Sequence, residues 1–521
     1  MLISKAARQA YIDREFQSYL WMKKLQERDL LEELTTFRNR PRFKTKPWLH
    51  QLVCFYIGMC EPRFLFLLDM GAGKTKILLD LIQQRKRERR LRKALVTVPR
   101  LINIGSWEED VYRHSDLKPI LCSTATIEEK WDTLMTGDGD LALVDYQGLC
   151  LALCVKNKAK GKLQKDPKKI KLLANRYNFV GMDESHKLKN HEGLWFSVME
   201  SITKSADYVY ATTGTLFGHD PEDAWGQFKL VDNGETFGDT LGLFRTTFFI
   251  NKPDPWKRVV REFDRKQSPL LHQMIQNRSI RYNEREFSDV PASLFITKTL
   301  QFSSEQREHY LQALQGLINA DGELKETDSA WLRMRQITSG FLAWKDEHGP
   351  HTVRFKENPK LQELESILED SGDDKVVVVT AYTPTLELIS DALKHQNIKH
   401  VCLYGGTKDP LAARRQFMDD PKTKVFIMNA EAGGTGLDGL QKVARYMVLY
   451  ESPCDPITRK QVLKRIHRPG QQQRTYFYDL VVKGSVDVKI LSDVVNGVNF
   501  YSSVIDPTDL GKRLKSLFAK G

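Results

Sequence analysis

Residues 64–82 read FLFLLDMGAGKTKILLDLI, and how this run folds decides the class of the whole chain. Its first five residues are uninterrupted and apolar, the pattern of a strand buried on both faces. The last eight recur with helical spacing. Between them Gly71 and Gly73 let the backbone curl, so that its N–H groups and the following helix N-terminus face an anion. Strand, glycine turn and helix make a phosphate loop, in which Lys74 supplies a point charge for the β- and γ-phosphates and Thr75 a hydroxyl ligand for magnesium. Leu68 stands where the full eight-residue pattern has its first glycine.

Downstream, strand and helix patterns alternate. Ala94–Val98 (ALVTV) is a strand with Pro99 and Arg100 at its carboxyl end, the place where open parallel sheets put ligand contacts. Leu141–Val144 precedes Asp145 and Tyr146. Phe179–Met182 (FVGM) delivers Asp183 and Glu184 to its end, an acidic pair suited to hold the magnesium of a nucleotide and to orient and deprotonate an attacking water. Tyr208–Ala211 leads into the hydroxyl-rich turn Thr212-Thr213-Gly214-Thr215. The charged run RKRERRLRK after the phosphate-loop helix reads as a solvated face, and the lysine-rich KNKAKGKLQKDPKKIK as a surface loop or a strip lying along phosphates.

Residues 217–355 lose this alternation and read as helical insertions with a hinge; Trp331–Trp344 (WLRMRQITSGFLAW) reads as one helix. A second alternating region begins near Lys360, with strands at Val376–Thr380, His400–Leu403, Val425–Met428, Arg445–Leu449 and Thr475–Leu480. Gly405-Gly406-Thr407 and Ala432-Gly433-Gly434-Thr435-Gly436 are turns that can present N–H groups to phosphate. Then comes QVLKRIHRPGQ, Gln461 to Gln471, whose Arg465 and Arg468 would project from one helical face one turn apart. Such arginines are what a transferring γ-phosphoryl group needs.

The chain has 521 residues, room for two or three domains, and its composition is that of a globular protein: 41% hydrophobic and 28% charged. A net charge of +12 fits a polyanionic partner, of which nucleic acid is the commonest. Seven scattered cysteines without a CxxC pair read as packing residues rather than zinc ligands. No apolar run is long enough for a bilayer and the first residues lack a signal-peptide core, so the expectation is a cytoplasmic protein, or a nuclear one in a eukaryote, not secreted and without a membrane partner.

Taken in order, from about Trp48 to Val488, these segments resemble a superfamily-two helicase of the Swi/Snf-type ATPase branch. KPWLHQ (46–51) resembles the adenine-reading motif, with Gln51 at its glutamine, and DMGAGKT the family's phosphate loop. LVTVPRLINIGSW, FVGMDESHKLKN, ATTGTLFGHDPEDAW and MRQITSG resemble successive motifs. AEAGGTGLDGL and QVLKRIHRPGQ resemble the last two, and QxxxRxHRxGQ is distinctive of this branch. Ser185, Leu216, the Asp438-Gly439 pair and Cys454 depart from the family's residues without removing a group that binds phosphate, magnesium or water.

The resemblance implies an α/β fold: a helical extension over 1–45, a RecA-like parallel-sheet lobe over 46–245, helical insertion and hinge over 246–355, and a second RecA-like lobe over 356–521. It implies a DNA-dependent ATPase acting as a translocase on duplex or branched DNA, working as a monomer or with a partner protein, with ATP and Mg2+ as cofactors. Gln51, Gly71, Gly73, Lys74, Thr75, Gly434, Gly436 and Gln461 are then expected to bind nucleotide, and Thr75 and Asp183 magnesium. Lys74, Asp183, Glu184, Arg465 and Arg468 are expected to be catalytic. Pro99, Arg100, Tyr146, Thr213, Tyr382, Gly405, Gly406 and Thr435 are the candidate DNA contacts.

Overall fold

A computed structural model describes residues 5–37, 39–124, 126–156, 163–217, 221–253, 259–287, 290–316, 327–346, 349–407, 409–430 and 439–497. Contacts divide the chain into two compact units, Met1–Ser288 and Asp289–Gly521. Each is built on one parallel sheet with helices packed around it, as expected for a RecA-like lobe.

The first sheet uses β1 (Arg63–Leu68), β2 (Ala94–Val98), β3 (Pro119–Leu121), β4 (Leu141–Asp145), β5 (Phe179–Asp183), β6 (Tyr208–Thr213) and β7 (Ser279–Tyr282), in spatial order β7-β1-β6-β5-β2-β4-β3. All its pairings are parallel. Strands of this kind are covered on both faces, and β2, β4 and the last five residues of β1 are buried without a break. Opposite faces of the sheet feed two separate hydrophobic clusters: Leu65, Leu67, Val180 and Val209 belong to one, Phe64, Phe66, Phe179 and Tyr210 to the other. The expected helical segment before residue 45 is present as helices Lys5–Ile12 and Glu27–Thr35, and its Tyr19, Met22, Leu30 and Leu34 are buried in the second cluster.

The second sheet uses β8 (Leu294–Leu300), β9 (Lys375–Thr380), β10 (His400–Leu403), β11 (Val425–Asn429), β12 (Ala444–Leu449) and β13 (Tyr476–Val482), in order β8-β13-β12-β9-β11-β10, again wholly parallel. Two buried ion pairs tie its elements together. Arg459 grips Asp479 of β13 through two 2.7 Å bonds, and Lys360 lies 2.8 Å from Asp487.

Three expectations are corrected. Residues 246–355 are not simply helical: they hold a hairpin (Phe249–Pro253 with Val259–Phe263) and supply β7 to the first sheet and β8 to the second. Their mixed aromatic and charged composition hides the edge strands, since β8 alternates exposed and half-buried residues. Trp331–Trp344 is not one helix. The helix Thr327–Ser339 stops at Gly340, whose φ of +99° only glycine adopts readily, and the chain continues as a strand, Phe341–Asp346. Nor is RKRERRLRK all solvated: Arg85 is buried, donates to the carbonyls of Gly58 and Met59 at 3.0 Å, and lies over the Tyr208 ring.

Candidate functional site

The loop after β1 begins at Asp69, whose N–H donates to the Tyr282 carbonyl of β7. Gly71 and Gly73 take φ values of +87° and +72°, so the backbone curls at both glycines, and the helix Lys74–Arg87 starts directly after them. Gln51 braces this loop from the helix Leu49–Cys60. Its amide donates to the Ala72 carbonyl at 3.0 Å while its oxygen accepts from the Trp48 N–H at 2.9 Å. His50 Nε2 lies 2.8 Å from the same Ala72 carbonyl, and burial holds the imidazole below its ordinary pKa, in the neutral form that can donate there. A Cβ on Gly73 would run into the Gln51 amide, so the residue is fixed as glycine by space as well as by φ.

β5 carries the acids to its end. Asp183 is the last strand residue, and Glu184 follows in the left-handed region (φ +50°), a conformation uncommon outside glycine, which breaks the strand's alternation and starts the short turn Ser185–Leu188. The Lys74 ammonium lies 2.7 Å from Glu184 Oε1 and 3.5 Å from the Leu68 carbonyl. On the other side of the carboxylate, His186 Nδ1 stands 3.2 Å from Glu184 Oε2 and 3.2 Å from Thr213 Oγ1. Burial alone would raise the Glu184 pKa, but the Lys74 charge and then His186 more than offset it, and the carboxyl is held well below the usual range. Asp183 is pushed upward, by burial first and by the neighbouring Glu184 charge second.

Both Asp183 oxygens have protein donors. The Trp107 indole N–H donates to Oδ2 at 3.1 Å, and the Thr212 hydroxyl to Oδ1 at 3.0 Å. The Tyr146 hydroxyl donates to the Asp183 backbone carbonyl at 2.8 Å. Gly214 passes close to the end of β1, where a Cβ would sit 3.2 Å from the Leu68 carbonyl. A carboxylate beside a helix start that carries the Thr75 hydroxyl offers the oxygen donors that a small hard cation takes, together with phosphate oxygens.

The structure thus brings Gln51, Gly71, Gly73, Lys74, Thr75, Asp183 and Glu184 to one edge of the first sheet. Three candidate DNA contacts in this unit are corrected. Tyr146 and Thr213 are buried (2% and 0% exposed), and their hydroxyls serve Asp183 and the Thr215 turn. Pro99 is likewise buried, whereas Arg100 is exposed. The sequence reading missed His50 and Trp107, while Thr212 belongs to the hydroxyl-rich turn read after Tyr208–Ala211. The tryptophan was visible as the residue that closes the LVTVPRLINIGSW segment, but nothing in the sequence tells that its indole faces Asp183.

In the second unit the helix Pro456–Leu463 is capped by Asp455, which accepts from the Thr458 N–H at 2.8 Å. It ends at Leu463, so Arg465 and Arg468 do not share a helical face as expected; they lie in the turns that follow, Arg465 buried and Arg468 half-buried. Gly470, at φ +96°, breaks the helical path, and Gln471 holds the turns to the sheet by donating to the Ala444 carbonyl at 3.0 Å. Gln461 is half-buried in the last helical turn. Tyr382 follows β9 and packs edge-on to Phe341 with Arg335 over its face; Gly405 and Gly406 are exposed after β10. Gly434, Thr435 and Gly436 lie outside the described residues.

Two parallel-sheet lobes, with a glycine-turned loop, its lysine and an acidic pair at strand ends of the first, define a helicase-like ATPase. The chain belongs to the SNF2-related family: the SNF2-related domain matches residues 19–347, and the helicase conserved C-terminal domain matches 359–470. Among curated relatives, the probable global transactivator of Orgyia pseudotsugata multicapsid polyhedrosis virus is 25% identical over 478 residues, covering 87% of this chain and 89% of that protein. The ISWI chromatin-remodeling complex ATPase CHR11 of Arabidopsis thaliana is 22% identical, covering 81% of this chain but 39% of its own length. Human RAD54B, a DNA repair and recombination protein, is 27% identical over 35% of this chain and 20% of its own. The chain therefore spans well under half the length of these last two. Among solved structures, the Sulfolobus solfataricus SWI2/SNF2 ATPase core in complex with dsDNA aligns with a TM-score of 0.40 at 18% identity, over 88% of this chain and 92% of that one. Among the described residues no helix is long and apolar enough to cross a membrane.

Proposed function

We propose that this protein is an ATP-driven DNA translocase, moving along duplex or branched DNA through contacts to phosphates. The observation that carries the reading is the Lys74–Glu184 pair beside the half-buried Asp183, next to a loop that turns left-handed at Gly71 and Gly73. Lys74 exchanges its 2.7 Å contact with Glu184 for the γ-phosphate of ATP, and Glu184, released, orients and deprotonates the attacking water. Thr75 and Asp183 hold the magnesium that neutralises phosphate charge. Gln51 serves as the adenine reader in addition to bracing the loop. Arg465 and Arg468 act on the same nucleotide during turnover in this reading, and Gln461, Gly434 and Gly436 help to bind it. Arg100, Tyr382, Gly405, Gly406 and Thr435 are the remaining candidate DNA contacts, and contacts to backbone phosphates carry no sequence preference.

The reading is tested by measuring ATP hydrolysis with single-stranded, duplex, forked and four-way DNA and with RNA. Stimulation by duplex or branched DNA above RNA is the expected result; no stimulation by any DNA would overturn it. A second reading, that the chain is the motor of a larger assembly, is favoured by the names of its ATPase relatives, which include complex subunits. A stoichiometric partner recovered with the chain from native extract, and required for movement on DNA, would support that reading instead.

A further inference from the structure

We propose that Trp107 is a positioning residue for the metal-bearing acid: its indole N–H fixes the Asp183 carboxylate in the orientation that receives magnesium. The inference rests on the reading of Asp183 given above, but the bond itself is observed independently of it. Trp107 is 3% exposed, and its Nε1 is 3.1 Å from Asp183 Oδ2. A buried indole N–H needs an acceptor, and many would serve. Here the acceptor is a half-buried carboxylate whose other oxygen is already held by Thr212 at 3.0 Å.

The two donors come from different elements and together remove the rotation of the carboxyl group about its Cβ–Cγ bond. Thr212 sits on β6, in register with Asp183 on the neighbouring strand. Trp107 sits on the helix Asn103–His114. An ionised oxygen accepting one N–H keeps further lone-pair capacity, so each bond directs the remaining capacity outward rather than consuming it. Second partners of this kind orient the groups that bind a metal, and their loss typically costs 10- to 100-fold in metal affinity or activity.

Trp107 is itself placed by the turn after β2. The Arg100 N–H donates to Asn103 Oδ1 at 3.1 Å, and the Asn103 N–H returns to the Arg100 carbonyl at 2.9 Å, which staples the Pro99–Arg100 turn to the start of the helix. One helical turn later comes Trp107. The indole therefore links that turn, where Arg100 is exposed, to the acid on β5.

The experiment uses the full chain with Trp107→Phe, which keeps an aromatic ring and removes the N–H, beside Trp107→His, which restores a ring N–H. Two quantities are read: the magnesium concentration that half-saturates ATP hydrolysis, and binding of a fluorescent ATP analogue in EDTA. The expected result is a rise of about 10-fold or more in the magnesium requirement for Trp107→Phe, partly restored in Trp107→His, with metal-free binding unchanged. An unaltered magnesium requirement in Trp107→Phe overturns the proposal, and so does a rise that Trp107→His does not reduce. A third readout guards against loss of fold. In the indole N–H spectrum of the otherwise native chain, the Trp107 resonance should move on Asp183→Asn, which removes the charge but preserves the shape. A resonance that stays in place overturns the proposal, even if the ATPase reading holds; failure of that reading would appear separately, as hydrolysis that survives Lys74→Ala.

Discussion

Lys74 Nζ and Glu184 Oε1 are 2.7 Å apart, joining the start of the helix that follows β1 to the end of β5, a strand that is not β1's neighbour in the sheet. The contact sets the two charges against each other across the place where phosphate and water are proposed to meet. Lys74→Ala should abolish DNA-stimulated ATP hydrolysis together with nucleotide binding. Glu184→Gln should bind ATP and hydrolyse it about 10²- to 10⁴-fold more slowly, the usual range for loss of a general base. Equilibrium binding of a fluorescent ATP analogue and steady-state turnover distinguish the two; turnover that persists in both variants would remove the assignment.

Arg468, half-buried in the turns after the helix Pro456–Leu463, is the better placed of the two arginines to reach a ligand, because Arg465 is only 3% exposed. Arg468→Ala should leave ATP affinity within a few-fold of the parent and slow hydrolysis by about 10³-fold or more, as loss of an arginine finger does. Unchanged turnover would move that role to another residue.

Arg459 and Asp479 form a buried, two-bonded pair inside the second unit. Removing one partner leaves an uncompensated charge, so Arg459→Ala and Asp479→Ala should each cost about 3–5 kcal/mol. Replacing both with apolar residues of similar size, Arg459→Met with Asp479→Leu, should recover most of that loss. Urea unfolding followed by a probe in the second unit reads the difference, and a double variant as unstable as the singles would refute the account.

His114 should make the first unit acid-sensitive. Its side chain is half-buried beside Thr45, and burial first, then the Lys76 and Arg113 charges, lower its pKa from 6.5 to about 4. Between these values the unfolded chain binds a proton that the folded chain does not, so stability falls as pH drops from 6.5 towards 4. The size of the shift sets an upper limit of about 3 kcal/mol, reduced by solvent screening because the ring is partly exposed. His114→Asn should flatten the thermal-melting profile over that interval; the same slope in parent and variant would rule His114 out as its source.

Apolar runs made most strands legible: β2, buried throughout, and β10 fall at the residues read from the sequence, and β1, β5 and β11 within one residue at an end. The short β3 and the edge strands β7 and β8 were not legible. β8 has one face open and no continuous apolar signal, and β7 is only four residues long. At the site, the glycines, Lys74 and the acidic pair announce themselves through spacing. What the sequence cannot display is a bond between distant side chains, and so Tyr146 read as a surface contact when its hydroxyl is spent on the Asp183 carbonyl. Ser185, a departure from the family pattern, is explained the same way: its hydroxyl donates to Gln227, whose amide holds the Leu216 carbonyl.

The edge strands β7 and β8 also fix the order in which a nascent chain can finish. β1 has emerged long before β7, yet its outer edge stays open until Ser279–Tyr282 arrives, and β8 must wait for β13 near the far end of the second unit. Pairings that span so much sequence close slowly, and an open strand edge is a template for the wrong partner. A fragment ending near residue 245 would pair β1 with β6 but leave its outer edge open, whereas one ending at 287 carries its own seal. For a ribosome making this protein, the stretch from 246 to 287 is the difference between a lobe that can leave the tunnel finished and one that leaves it adhesive.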